Sequence, residues 1–260
     1  MKGTFRGLQN TTTRFPPIGN TLSALTGLLV FFSTTAFGQV VLDDFSTDNR
    51  LKYAFAPVFP PDALDGWAVT GGELRPSMAE NASATWLWNQ GQKLSAPGDS
   101  VSISLSLPAH ANNVFDTSIG LYVAIDTVPN GGHFISLKTS GGSWFYSADG
   151  FDIPAAASPP TGSVQLTIQR TGDHNVDGFL YTTTFSGGGL LSPLTDPDLT
   201  FRSDADSLLF GPYAENTAGT AAALDNFTFT PVPEPSMYAA VFGFLALTTA
   251  VIRRRTARRS

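Results

Sequence analysis

Apolar and polar residues alternate one for one along Val101-Ser102-Ile103-Ser104-Leu105-Ser106-Leu107. Successive side chains of a strand point to opposite faces, so this pattern predicts a half-buried strand with aliphatics on one side and serines on the other. Val164 to Gln169 repeats it, with Val164, Leu166 and Ile168 opposed to Gln165, Thr167 and Gln169. Further strands are predicted over Gly120 to Ile125, His133 to Lys138, Gly178 to Phe185, Leu208 to Gly211 and Asp225 to Thr230, with Gly-rich turns at 131–132, 141–142 and 187–189. No segment between residues 39 and 231 carries a helical apolar stripe. Many short strands punctuated by Gly, Pro, Asn and Asp predict an all-β sandwich of two sheets.

The two ends depart from this pattern. Residues 1–38 begin basic, continue through an apolar run from Leu22 to Phe32, and close on the small residues of Ala36-Phe37-Gly38. That order predicts a secretory signal peptide cleaved between Gly38 and Gln39. An uncleaved anchor is the alternative, but the apolar run is too short for a hydrocarbon core of about 30 Å. At the other end, Val232-Pro233-Glu234-Pro235-Ser236 precedes an apolar run from Met237 to Ile252, and Arg253, Arg254, Arg255, Arg258 and Arg259 follow it. The two prolines exclude regular helix and sheet pairing around Glu234. As a helix, the sixteen residues of the run would reach about 24 Å, a short transmembrane span. The arginines would act as a stop-transfer tail held on the cytoplasmic side. The expected organisation is therefore a signal peptide over 1–38, a sandwich over 39–231 and a sorting or anchor segment over 232–260.

Charge counted by region sharpens this division. Residues 39–231 keep seven of the fifteen basic residues and twenty of the twenty-one acidic ones, a net charge of about −13. The seven bases are scattered singly, which argues against nucleic acid as a partner. The chain has no cysteine, so disulfides, thiol nucleophiles and cysteine metal sites are excluded.

Little in the middle points to catalysis. Its only glutamates are Glu73, Glu80 and Glu215, and they form no closely spaced pair on a predicted strand of the kind glycoside hydrolysis needs. His110, His133 and His174 lack metal-ligand spacing, and no G-x-S-x-G elbow is present. A non-enzymatic protein without a cofactor is expected. Calcium is the one cation the sequence suggests: Asp173, Asn175 and Asp177 fit the start of an oxygen-ligand loop, but its twelfth position is Thr184 instead of a bidentate Glu. We read Asp173 to Gly178 as a hairpin turn. Asp43, Asp44, Asp225 and Asn226 would meet if the terminal strands were neighbours, giving a second candidate. Trp86 and Trp88 share one face of a strand, as core packing or as a stacking platform for sugars.

Two resemblances add to these readings. The middle resembles the concanavalin A-like or laminin-G-like jelly rolls through Asp43-Asp44-Phe45, Gly66-Trp67-Ala68-Val69 with Gly71-Gly72-Glu73-Leu74, Ile119 to Ala124, and Leu224 to Phe229. The three-part C-terminus resembles the PEP-CTERM protein-sorting domain. That resemblance implies processing by an exosortase-type membrane enzyme. It also implies an inner-membrane anchored precursor held through 237–252 and delivery to the bacterial cell surface or extracellular matrix. There the expected partner is extracellular polysaccharide, bound structurally or by a carbohydrate-binding module.

Overall fold

The computed structural model describes residues 39–59, 66–108, 116–125, 132–156, 160–172, 178–232, 243–252 and 254. The chain divides into two compact units, Met1–Gly38 and Gln39–Ser260. The first lies outside the described residues, as do Pro233 to Pro235 and every tail arginine except Arg254.

The second unit contains a sandwich of two antiparallel sheets. One sheet has eight strands, ordered β13-β12-β11-β6-β15-β4-β3, with β1 also pairing β15. These strands are β1 (Val40–Asp43), β3 (Trp67–Thr70), β4 (Glu73–Pro76), β6 (Ser100–Ser106), β11 (Val164–Arg170), β12 (Phe179–Gly187), β13 (Phe201–Ser203) and β15 (Ala223–Thr230). The other has seven, ordered β10-β9-β8-β7-β14-β5-β2. They are β2 (Tyr53–Phe59), β5 (Ser83–Trp88), β7 (Thr117–Ala124), β8 (His133–Ser140), β9 (Ser143–Ala148), β10 (Phe151–Ala156) and β14 (Leu209–Glu215).

The alternating segments fall where the pattern predicts, β6 and β11 side by side with Leu166 opposite Ile103 and Thr167 opposite Ser102. Their aliphatic faces are fully buried between the sheets, together with Leu74, Trp86, Phe185, Phe210 and Phe227. Proline placement follows ladder chemistry. Pro57 and Pro154 sit on the edge strands β2 and β10, where a missing N–H costs no interior hydrogen bond. Pro76 and Pro212 depart from this, because β4 and β14 are interior. The β14–β5 ladder covers only Tyr213 to Glu215, and beside it the Thr85 hydroxyl donates to the Pro212 carbonyl at 2.8 Å.

Gly120 and Gly211 let backbones approach. A Cβ on Gly120 would stand 2.0 Å from the Ile135 carbonyl oxygen, and one on Gly211 1.9 Å from that of Trp86. Residues 243–252 are helical, inside the predicted span Met237 to Ile252. Among the described residues, however, no helix is long and apolar enough to cross a membrane.

Candidate functional site

Where β6 begins, the chain makes a turn over Ser95 to Asp99 that gathers two buried charges. Asp99 is buried, and its Oδ2 accepts from the backbone N–H groups of Ser95 (2.9 Å) and Ala96 (2.7 Å) and from the Ser95 hydroxyl (3.2 Å). Its Oδ1 accepts from the Val232 N–H at 2.9 Å. Arg170, at the end of β11, is buried too. It donates through Nη1 to the carbonyls of Ser95 (2.6 Å) and Asp206 (2.7 Å), with its guanidinium 3.7 Å from the Phe179 ring centroid. Ser95 is thus gripped at its N–H by Asp99 and at its carbonyl by Arg170. The two loops are laced further by Gly98 N–H to Arg170 O (2.6 Å) and Arg170 N–H to Asp99 O (3.0 Å). Gly98 has φ +99, and a Cβ there would lie 2.3 Å from Val232 Cγ2. Val232, itself exposed, thus lies with its N–H on Asp99 and its side chain beside Gly98.

Nearby, burial raises the pKa of the Tyr181 phenol above the usual tyrosine range, with Arg170 opposing the shift. Tyr181 stacks on Phe201 at 5.0 Å between centroids, and Phe201 stacks on His133 at 4.2 Å. His133 pairs with Asp149 of its own sheet and stacks on Phe201 of the other. His110 and His174 lie outside the described residues.

The outward faces of the sheets differ. Over β12, β11, β6 and β15, hydroxyl and amide side chains stand in rows across the strands. Thr184, Thr167, Ser102 and Thr228 form one row, half-buried at Thr184 and Thr167 and buried at Ser102 and Thr228; Ser186, Gln165, Ser104 and Asp225 form the next. Asp225 is the only ionisable residue in these two rows, although the domain is strongly acidic. Neighbours in the rows bond to one another, as in Ser102 Oγ to Thr167 Oγ1 at 2.8 Å. The seven-stranded sheet instead turns a second apolar cluster outward, Leu87, Tyr122, Ala124 and Tyr213 with Phe134 packed against it. All four cluster residues are buried, so they offer no open stacking surface.

The sequence-predicted candidates separate clearly. Trp86 and Trp88 do share a face, but it is the core face: they are 1% and 4% exposed and pack on Tyr53 at 5.3 Å each. Of the two readings of this pair, core packing holds, because large aromatics bury more surface between the sheets than either could offer a ligand. Terminal strands β1 and β15 are indeed neighbours, with Asp43 opposite Phe227. Yet Asp43 is committed to Phe45 N–H, Asn49 Nδ2 and the Tyr53 hydroxyl. Asn226, at φ +51, occupies a β-bulge and donates to Asp225 from both its backbone and side-chain nitrogens. Among the described residues no three acidic or histidine side chains are placed to hold a metal. Asp173, Asn175 and Asp177 lie outside the described residues, between two antiparallel neighbours, β11 and β12. Asp99 and Arg170 escaped the sequence reading, since nothing in spacing ties Asp99 to a residue 133 positions away.

No family model matches the chain, and no curated protein matches it. Solved structures to which it is similar include a lectin from Bauhinia forficata in complex with GalNAc, with 8% identity, a TM-score of 0.46, and coverage of 74% of this chain and 98% of that one. A second is the Lotus tetragonolobus seed lectin, at 11% identity and TM-score 0.45, covering 76% of this chain and all of the other. A third is a protein of unknown function from Shewanella oneidensis MR-1, at 14% identity and TM-score 0.43, covering 85% and 97%. The two-sheet architecture stands on the strand pairing itself.

Proposed function

We propose that this chain is an exported, non-enzymatic surface or extracellular-matrix protein, released from an N-terminal signal between Gly38 and Gln39 and sorted through its C-terminus. The carrying observation is the order of Val232-Pro233-Glu234-Pro235, the apolar run 237–252 and the tail of Arg253, Arg254, Arg255, Arg258 and Arg259. Each part has a purpose only beside the others: an accessible segment, a span and a stop-transfer charge. The helix over 243–252 fits this reading. Phe244, Leu247, Val251 and Ile252 are exposed, and the hydroxyls of Thr248 and Thr249 donate to the helix carbonyls of Phe244 and Leu245 at 2.9 and 2.7 Å. A threonine in hydrocarbon must satisfy its hydroxyl in that way.

An exosortase-type enzyme is the proposed partner at the motif. Replacing Pro233, Glu234 and Pro235 together by alanines should leave a larger, membrane-retained form in cells that contain such an enzyme. Immunoblot size and membrane fractionation read this directly. Wild-type protein that keeps its intact tail in those cells rules the sorting function out and leaves a plain anchor.

A second reading, carbohydrate binding, draws on the hydroxyl and amide rows of β12, β11, β6 and β15, in which Asp225 is the one ionisable residue. A neutral polysaccharide offers hydroxyls to hydroxyl and amide partners and gains nothing from charge. A glycan array on the mature protein tests it, with Thr167→Lys as the variant expected to lose retention.

A further inference from the structure

We propose that the outward face of the eight-stranded sheet takes a neutral, extended polysaccharide that lies across the strands, one sugar unit to a strand. This rests on the carbohydrate reading above and names the class of chain and its path. A third row stands beside the two already described: Thr182, Gln169, Ser100 and Thr230 face one another over the same four strands, and none is charged. The middle row sits lowest. Thr167 is half-buried, Ser102 is 8% exposed and Thr228 6%, whereas Gln165 and Gln169, on either side of Thr167 along β11, are exposed. Short side chains between longer ones make a shallow trough that crosses the strands. β1 extends it by one more strand, with Val41, 60% exposed, opposite Thr228.

Length and charge select the occupant. Neighbouring strands lie about 4.8 Å apart, close to the length of one sugar unit in a β-1,4-linked ribbon. From Thr184 on β12 to Val41 on β1 the trough crosses β11, β6 and β15, a path of about 19 Å that holds about four or five units. Such a ribbon turns its hydroxyls to both edges, where the glutamine amides and the serine and threonine hydroxyls stand. Bonding along the rows, as between Ser102 and Thr167, leaves these hydroxyls able to accept more, because each has one donor and two acceptor positions. A helically coiled glucan cannot follow a straight row. The domain carries a net charge of about −13, yet Asp225 is the one ionisable residue in the three rows. A face so cleared of charge gives an anionic chain no counter-charge, and it asks a neutral one to desolvate only hydroxyls and amides that find new partners.

The test titrates the full-length chain, in a detergent without a sugar headgroup, with cello-oligosaccharides in a calorimeter. Affinity should rise with length to about four or five units and then level off, and sodium chloride at about 1 M should leave it unchanged. Thr184→Lys and Val41→Lys lie at the two ends of the trough. Each should weaken binding of the hexasaccharide several-fold and leave the trisaccharide nearly unaffected, with the thermal midpoint as the check on folding. Equal affinity for every length, or hexasaccharide binding unchanged in both end variants, overturns the path across the strands. Loss of binding in high salt overturns the neutral occupant. A wild-type dimer that Thr167→Lys splits in the ultracentrifuge gives the face to a second copy of the chain and overturns the proposal as well. If no cello-oligosaccharide binds, the proposal falls; retention of another glycan on an array then keeps the carbohydrate reading, and an empty array removes that reading too.

Discussion

The Tyr53 hydroxyl donates to Asp43 Oδ2 at 3.0 Å, joining the first residue of β2 in one sheet to the last residue of β1 in the other. The second oxygen of Asp43 accepts from Phe45 N–H at 2.9 Å and Asn49 Nδ2 at 3.2 Å. A buried carboxylate with this many donors is structural. Asp43→Ala leaves the Tyr53 hydroxyl and the Phe45 N–H without their acceptor, so it should cost roughly 2–4 kcal/mol. Tyr53→Phe keeps the ring packing and should cost less. Urea unfolding followed by tryptophan fluorescence ranks the two, and equal losses would mean that the ring, not the hydrogen bond, matters.

Burial raises the pKa of the Tyr53 and Tyr213 phenols far above the ordinary value of 10.0, and the carboxylates of Asp43 and Glu215 beside them add to the shift. The folded state therefore holds these protons more tightly than the unfolded chain. Stability from this source is fully present below about pH 10 and falls as pH rises beyond it, because the unfolded tyrosines ionise first. Absorbance at 295 nm during alkaline titration should show Tyr53 and Tyr213 ionising only together with unfolding. Replacing both by Phe should flatten the alkaline limb of the stability curve.

Gly120 and Gly211 stand where a methyl group would strike backbone rather than a movable side chain. Gly120→Ala and Gly211→Ala should each lower stability by roughly 1–3 kcal/mol, since neighbouring strands would have to part. Gly141→Ala is the contrast. Its φ is +55 with open space around it, so it should cost only the strain of a left-handed turn, about 1 kcal/mol. Thermal unfolding of the three variants separates contact from conformation.

The strands legible in the sequence are those with one face in the core and one in water. In β11 and β12 burial alternates along the strand, and in β6 it does so except at Ser102, which is buried. β5 was harder to read as a strand because every residue from Ser83 to Trp88 is buried, which erases the period-two signal. β2 and β10 each contain a proline that reads as a breaker, and only their edge positions make it tolerable. The Asp99–Val232 contact was not legible, because it joins residues 133 apart through a single carboxylate with no pattern around it.

Trp86 and Trp88 give the sharpest separation between stability and binding. Both face the core, and Trp86 is ringed by Tyr53 at 5.3 Å and Trp67 at 5.4 Å. Trp86→Ala should therefore cost about 3–5 kcal/mol by leaving a cavity among aromatic neighbours. Trp86→Phe, which refills much of that space, should cost less and leave the protein folded at room temperature. Neither position reaches the outer rows of β11 and β6, where Thr167 and Ser102 stand bonded to each other. If the mature protein retains a neutral polysaccharide, Trp86→Phe should leave that retention unchanged per folded molecule. Thr167→Lys should do the reverse, abolishing retention while shifting the unfolding midpoint less than a core change, because the half-buried Thr167 side chain points away from the core and a lysine there can carry its charged end out to water. Affinity electrophoresis in polysaccharide gels, run beside thermal unfolding, reads both quantities. Loss of retention in Trp86→Phe with unchanged stability would reverse the assignment and make the tryptophan pair the ligand surface.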